Sequence, residues 1–62
     1  MPALNSASIS WIEYDPYSRT LQVTFRSGRM YTLRGVPEYH YLALLNASSP
    51  GAYFNENLRG RY

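Results

Sequence analysis

Residues 21–33 decide the fold, and they read Leu21-Gln22-Val23-Thr24-Phe25-Arg26-Ser27-Gly28-Arg29-Met30-Tyr31-Thr32-Leu33. In the first half of this stretch, apolar and polar side chains alternate, which is the pattern of a strand with one buried face. Between the two halves stands Gly28, and glycine adopts positive φ without steric cost. The stretch is therefore predicted to form a tight β-hairpin.

The length of the loop sets the register of this hairpin. A three-residue loop, Arg26-Ser27-Gly28, corresponds to a type I turn closed by a glycine bulge. It places the apolar residues of both strands on one face, through the pairs Phe25–Arg29, Val23–Tyr31 and Leu21–Leu33. A two-residue loop, Ser27-Gly28, would shift the register by one residue and turn Tyr31 and Leu33 to the polar face. We therefore predict the three-residue loop.

A further strand is predicted before the hairpin, over Ser8–Tyr14. Its alternation slips between Trp11 and Ile12, which indicates either a β-bulge or a strand covered on both faces. Asp15-Pro16 then opens a turn, because Asp can bond its own backbone and Pro presets φ at the second turn position. Three short strands in succession predict an antiparallel meander.

Two helix starts follow the hairpin. Pro37 is expected in the first turn of a helix that runs to about Ala47. Ser49 followed by Pro50 is a capping residue followed by proline at the first helical position, and Gly60 ends that second helix. The predicted fold class is α+β: a three-stranded antiparallel β-meander followed by two short helices packed on one face. One domain is expected over residues 1–62, with residues 1–7 frayed.

The core is predicted to combine apolar residues of the sheet and the helices: Val23, Phe25, Tyr31, Leu33, Tyr41, Leu45, Phe54 and Leu58. Two polar residues fall on the same helix faces. His40 is predicted to be partly buried and hydrogen-bonded. Asn55 is predicted to be at least partly buried, with a hydrogen bond to a hairpin carbonyl.

Composition excludes several classes of function. The chain has no Cys, which excludes a disulfide framework and a cysteine-based metal or redox site. One His and the Glu13/Asp15 pair do not make a metal site, so neither metal nor cofactor is predicted. No acid is evident to orient His40 beside Ser48 or Ser49, so an enzyme is not predicted. No leader or membrane span is apparent, which favours a cytoplasmic protein without membrane contact.

Many spaced residues together resemble one known family: Tyr14-Asp15, Leu21-x-Val23-x-Phe25-x-x-Gly28, Tyr31, Val36-Pro37, Tyr41, Leu44-Leu45, Ala47-x-Ser49 and Gly51-x-Tyr53-Phe54-Asn55-x-x-Leu58-Arg59. The chain resembles the KTSC family from about Ile9 to Tyr62. Members occur at the C-terminus of some lysyl-tRNA synthetases and as stand-alone bacterial proteins. The resemblance implies a domain without established function, for which the synthetase attachment suggests RNA binding.

The chain departs from this family at two places. The central Tyr-x-Tyr reads Tyr31-Thr32-Leu33, and His40 stands where an aliphatic residue is expected. Both Tyr31 and Leu33 point inward in the predicted register. A tyrosine that leucine can replace favours a packing role, so no ligand site is predicted on this motif.

The first functional hypothesis is weak, salt-sensitive contact with RNA or tRNA. All six positive residues are Arg, the side chain best suited to bidentate phosphate contacts and to stacking. Arg19 and Arg34 should meet at the sheet end away from the hairpin tip, whereas Arg59 and Arg61 should lie beside Tyr53 and Tyr62. The candidate nucleic-acid-binding residues are Tyr53, Arg59, Arg61, Tyr62, Arg19, Arg34 and Trp11.

The alternative hypothesis is a protein-interaction module. The outer strands of a meander have edges that can accept a partner strand. Strand three, with Met30 and Thr32 exposed, is a candidate docking edge or homodimer seam.

Overall fold

The structure, a computed structural model, describes residues 7–62. Three strands, β1 (Ile9–Asp15), β2 (Thr20–Phe25) and β3 (Met30–Leu33), are followed by two helices, α1 (Glu38–Asn46) and α2 (Pro50–Asn57). The strands form one antiparallel sheet in the order β1-β2-β3. The fold is α+β, as predicted. Of the segment predicted to fray, residues 1–7, all but Ala7 lies outside the described residues.

The hairpin has the predicted register. Val23 lies opposite Tyr31 and Leu21 opposite Leu33. The Gly28 N–H donates to the Phe25 carbonyl at 2.9 Å, and the Phe25 N–H donates to the Arg29 carbonyl at 2.8 Å. Gly28 has φ 98°, which only glycine adopts readily. The three-residue loop with a glycine bulge is confirmed.

Strand β1 contains a bulge, which decides between the two alternatives that its sequence left open. Ile9 lies opposite Phe25 and Trp11 opposite Thr24, so Ser10 is the extra residue. Its hydroxyl donates to the Thr24 carbonyl at 3.2 Å. The bulge lets Ile9 point into the core although Trp11, two residues later, points outward.

The helices begin at the two proline signals with one difference. Ser49 caps α2, and its hydroxyl accepts from the Ala52 N–H at 3.4 Å. Pro37, expected in the first turn of α1, is instead the residue before the helix, in extended conformation and without a side-chain cap. Its preset φ fits that position equally well, because the N-cap residue is not yet helical.

The core lies between the inner sheet face and the helices. Within residues 7–62 it contains eleven buried hydrophobic residues: Ile9, Ile12, Tyr14, Leu21, Val23, Leu33, Val36, Tyr41, Leu44, Phe54 and Leu58. Three predicted core residues, Phe25, Tyr31 and Leu45, are only partly buried and pack against this cluster. Leu44 takes the deep position that was predicted for Leu45. At the end of the sheet away from the hairpin turn, the Tyr14 ring stacks on Tyr41, with centroids 5.3 Å apart.

The outer sheet face is not covered by the helices and is mostly polar. Its cross-strand rows are Trp11–Thr24–Met30 and Glu13–Gln22–Thr32. Trp11 is 38% exposed and Met30 is 63% exposed. This face therefore presents two large apolar side chains on either side of one threonine.

Candidate functional site

Two arginines converge on one tyrosine at the hairpin end of the molecule. The Arg59 Nη2 donates to the Tyr31 hydroxyl at 3.0 Å, and the Arg29 Nη1 donates to the same oxygen at 3.4 Å. The Arg59 guanidinium carbon also lies 5.6 Å from the centre of the Tyr31 ring, within the range of a cation–π contact. The phenol thus orients both cations at one point.

The fold positions each member of this cluster separately. Tyr31 is the inward-facing residue of β3 that lies nearer the turn. Its ring packs against Phe25 and Phe54, with centroids 5.5 and 5.1 Å away. Arg29 is two residues earlier, so it lies on the same side of the hairpin. Arg59 follows α2, the helix that carries Phe54. Packing of Phe54 on the hairpin therefore brings Arg59 to Tyr31.

Asn55 completes the cluster, and its predicted burial is wrong. It is exposed, and its Oδ1 accepts from the Arg59 Nη1 at 3.1 Å instead of reaching a hairpin carbonyl. One residue along a helix rotates the side chain by about 100°. Because Phe54 points directly into the core, Asn55 is carried to the rim.

These side chains border an open cleft of about 300 Å³, lined by Phe25, Ser27, Arg29, Tyr31, Asn55 and Arg59. We call it the hairpin-tip cleft. Its wall is aromatic where Phe25 and Tyr31 lie and cationic where the arginines lie. Only Arg59 belongs to the candidates selected from sequence. The predicted register pairs Arg29 with Phe25 and puts Tyr31 two residues later on the same side, and this spacing is the sequence signal for the contact between Arg29 and Tyr31.

The electrostatics of the cleft favour negative charge. The hydrogen bond from Arg29 lowers the pKa of the Tyr31 phenol, and the charge of Arg59 adds to this effect. Reciprocally, the hydrogen bond with Tyr31 raises the pKa of Arg29. Within residues 7–62, the side-chain partners of both guanidinium groups are a phenol and an amide. Both cations therefore keep their charge available to a ligand.

A family model matches most of this chain. The model of the KTSC domain covers residues 5–62. The chain belongs to the KTSC domain family. The resemblance read from spaced residues is therefore confirmed.

Two individual proteins are similar to this KTSC domain. An uncharacterised protein of Stutzerimonas stutzeri (strain A1501) is 43% identical over 54 residues, which is 87% of this chain and 76% of that protein. The crystal structure of a KTSC domain protein from Yersinia pestis is 33% identical and superposes with a TM-score of 0.90, covering 97% of this chain and 84% of that one. Both relatives come from bacteria.

The aromatic candidates Tyr53 and Tyr62 surround His40 in this KTSC domain. The Tyr53 hydroxyl lies 2.8 Å from the His40 Nδ1, and the Tyr62 ring centroid is 5.7 Å from that of His40. His40 is hydrogen-bonded, as predicted, and is buried rather than partly buried. Arg59 is predicted to lie beside Tyr53 and Tyr62, but its guanidinium binds Tyr31 and Asn55 at the hairpin end. The exposed Arg61 donates its backbone N–H to Leu58 at 3.1 Å.

The remaining candidates lie elsewhere on the KTSC domain. Arg19 and Arg34 flank the sheet end away from the hairpin tip, where the Arg19 carbonyl accepts from the Val36 N–H at 2.9 Å. Arg19 has φ 57°, uncommon for a residue other than glycine. Trp11 lies on the outer sheet face, and its indole donates to Glu13 at 3.4 Å. The predicted set is therefore dispersed: Arg59 is at the hairpin end, Tyr53 and Tyr62 are beside His40 of α1, Arg19 and Arg34 are at the other sheet end, and Trp11 is on the outer face.

The described part of the chain holds neither a metal-binding cluster nor a membrane-spanning helix. No group of three His, Asp or Glu side chains in residues 7–62 is arranged to hold a metal ion. None of the helices within the same range has the length and apolar character needed to cross a membrane.

Proposed function

We propose that this KTSC domain is a small, non-enzymatic accessory module that contacts RNA, with tRNA as the first ligand to test. The observation that carries the proposal is the convergence of Arg29 and Arg59 on Tyr31 at the mouth of the hairpin-tip cleft. The expected setting is the cytoplasm, where tRNA is found. The attachment of family members to lysyl-tRNA synthetases agrees with this choice of ligand.

The arrangement suits phosphate recognition. Guanidinium groups donate in a planar fork that matches phosphate oxygens, and they can also stack on bases. Arg59 is held by Tyr31 and Asn55, with hydrogen bonds of 3.0 and 3.1 Å. A side chain that is already oriented loses less conformational entropy when it binds. Binding of a phosphate at the cleft should therefore cost less conformational entropy than binding by arginines whose side chains are not held in place.

The proposed contact is weak and depends on salt. The net charge is only +2, and few arginines can face one strand together. Affinity carried by phosphates falls with salt, with a log–log slope of about 0.7 per phosphate contacted on a single strand. We expect a slope that corresponds to two or three phosphates.

The non-enzymatic part of the proposal is supported by the partners of the nucleophile and base candidates. His40 shares its hydrogen bond with Tyr53, and Ser49 is used as the cap of α2. General base catalysis requires the base within hydrogen-bond reach of the nucleophile. These two side chains serve structural contacts instead.

An NMR titration at low ionic strength tests the proposal. Transfer RNA or a single-stranded oligonucleotide should shift the backbone signals around Ser27, Tyr31 and Arg59. The double variant Arg29→Ala/Arg59→Ala should bind more weakly and have a flatter salt slope, whereas Arg19→Ala/Arg34→Ala should bind as the native domain does. Arg19 and Arg34 are exposed arginines at the other end of the sheet and do not line the cleft, so this pair removes the same net charge outside the proposed site. If RNA causes no chemical-shift changes at these residues, or binds the double variant as tightly as the native domain, the cleft is not an RNA site.

One observation favours a second function, a protein-interaction module that uses the outer sheet face. Trp11 and Met30 are exposed on edge strands β1 and β3, in one row across Thr24. Exposed aromatic and Met side chains are enriched at protein interfaces. Self-association would make the sedimentation coefficient depend on concentration, and Met30→Glu would abolish that dependence. A monomer at all concentrations would exclude a homodimer at this face.

A further inference from the structure

We propose that the hairpin-tip cleft selects a terminal phosphate monoester of RNA over the phosphodiesters inside the strand. This inference rests on the proposed function and specifies the chemical group that the cleft holds. It is argued from the donors, the charge and the size of the cleft.

The donors at the cleft mouth match a terminal phosphate in number. Arg29 and Arg59 each direct a guanidinium toward the Tyr31 oxygen. The phenol accepts from both through its lone pairs, and its own O–H remains able to donate. A phosphate oxygen near this phenol is therefore within reach of three donor groups. A monoester has three terminal oxygens to receive them, whereas a diester has two.

The charge matches in the same way. A phosphate monoester carries about −1.5 to −2 at pH 7, and a phosphodiester carries a single negative charge. Within residues 7–62, the hydrogen bonds of the two guanidinium groups go to the Tyr31 phenol and the Asn55 amide, which do not neutralise their positive charges. Of the two phosphate groups, only the monoester carries enough negative charge to come close to neutralising both arginines. The lowered pKa of Tyr31 is a further sign that this point favours negative charge.

The size of the cleft fits one nucleotide at the end of a strand. Its volume of about 300 Å³ lies at the small end of ligand pockets in general. Beside the arginines, Phe25 offers an apolar wall, and Ser27 and Asn55 offer polar groups. These can contact the base and ribose that carry the phosphate.

Short RNAs of one sequence test the inference, each titrated separately at low ionic strength. One RNA carries a 5′-hydroxyl, one a 5′-phosphate and one a 3′-phosphate, and a nucleoside 5′-monophosphate alone is the fourth ligand. We expect at least one monoester-bearing RNA to bind about tenfold more tightly than the hydroxyl-ended RNA, the gain from one added charge-assisted contact. The arms identify which end, or a free nucleotide, supplies the group.

Variants separate this inference from the proposed function. Arg59→Lys keeps the charge but not the fork, and Tyr31→Phe keeps the ring but not the phenol. Both should reduce the preference for the monoester. Arg34→Lys, at an arginine that the proposed function places outside the RNA site, should retain it. Equal affinity for all RNA ends, with Arg59→Ala weakening each equally, would overturn the terminal selection and leave RNA contact standing. Failure of every RNA to bind would overturn both proposals.

Discussion

The Arg59 guanidinium donates a 3.0 Å hydrogen bond to the Tyr31 hydroxyl across 28 residues of sequence. Tyr31 belongs to the hairpin and Arg59 follows the last helix, so this bond joins the two layers of the fold at their open end. Arg29 reaches the same oxygen from within the hairpin. The Tyr31 hydroxyl therefore accepts hydrogen bonds from one arginine of the hairpin and from one arginine that follows α2.

The first prediction concerns the titration of that phenol. The pKa of Tyr31 should be lower than that of an ordinary tyrosine, because Arg29 and Arg59 stabilise the phenolate. Arg29→Ala and Arg59→Ala should each raise it, and Arg34→Ala should leave it unchanged. The chemical shift of the Tyr31 Cζ, followed from pH 8 to 12, measures it. A pKa near 10 in the native domain would contradict the convergence of charges.

How far sequence alone predicts this domain is seen by comparing Gly28 with Arg59. The hairpin is predictable because its turn chemistry and its period-2 pattern are local, and they agree on one register. The contact of Arg59 with Tyr31 depends on the angle at which α2 crosses the sheet. No local pattern encodes that angle, so Arg59 was placed beside the wrong tyrosines.

Asn55 and Tyr31 show why the cleft itself was missed. Helical periodicity predicts Asn55 on the same side of α2 as Phe54 and Leu58. Phe54 points directly into the core, and Asn55, next to it, lies at the exposed rim of that side. Tyr31 was correctly assigned to the inner face. It lies near the open end of the sheet, where its hydroxyl extends past the apolar rings to the arginines. A residue can therefore pack with its ring and present a functional hydroxyl at once.

The second prediction concerns the hairpin turn. Gly28→Val should destabilise the domain by roughly 1–2 kcal/mol or more, because a β-branched residue is strained at φ 98°. A Cβ at this position would meet no atom within 4 Å, so backbone strain alone is measured. Gly28→Asn should cost less, since Asn tolerates positive φ better. Urea denaturation measures both, and equal losses for Val and Asn would contradict the turn geometry.

The third prediction distinguishes two adjacent leucines of α1. Leu44 is fully buried and Leu45 only partly. Leu44→Ala should cost about 2–5 kcal/mol, the usual range for a large-to-small core change, and Leu45→Ala should cost clearly less. Leu44→Met, which nearly conserves volume, is the control. The free energies of unfolding in urea rank them, and a larger loss at Leu45 would refute the packing of α1.

The fourth prediction is a pH dependence caused by His40. Burial lowers the pKa of His40, so the unfolded chain binds this proton more readily than the folded domain does. Stability should fall as pH drops below about 7, and the loss should level off below the folded pKa. The rings that face His40 are those of Tyr39, Tyr53 and Tyr62. Melting temperatures from pH 7.5 to 5 should therefore decline less in His40→Gln.

The fifth prediction concerns the close approach of α2 to the start of β1. Gly51 is buried, and a Cβ there would lie 2.9 Å from the Cβ and Oγ of Ser8. Alanine at position 51 gains up to about 1 kcal/mol of helix propensity, but in the native chain this contact should outweigh the gain, so Gly51→Ala destabilises. Ser8→Gly removes both contacting atoms and leaves the Ser8 carbonyl bonded to the Arg26 N–H. In that background, Gly51→Ala should be neutral or stabilising. The four chains of this double-mutant cycle, unfolded in urea, measure the coupling, and strict additivity would mean that the two residues do not touch.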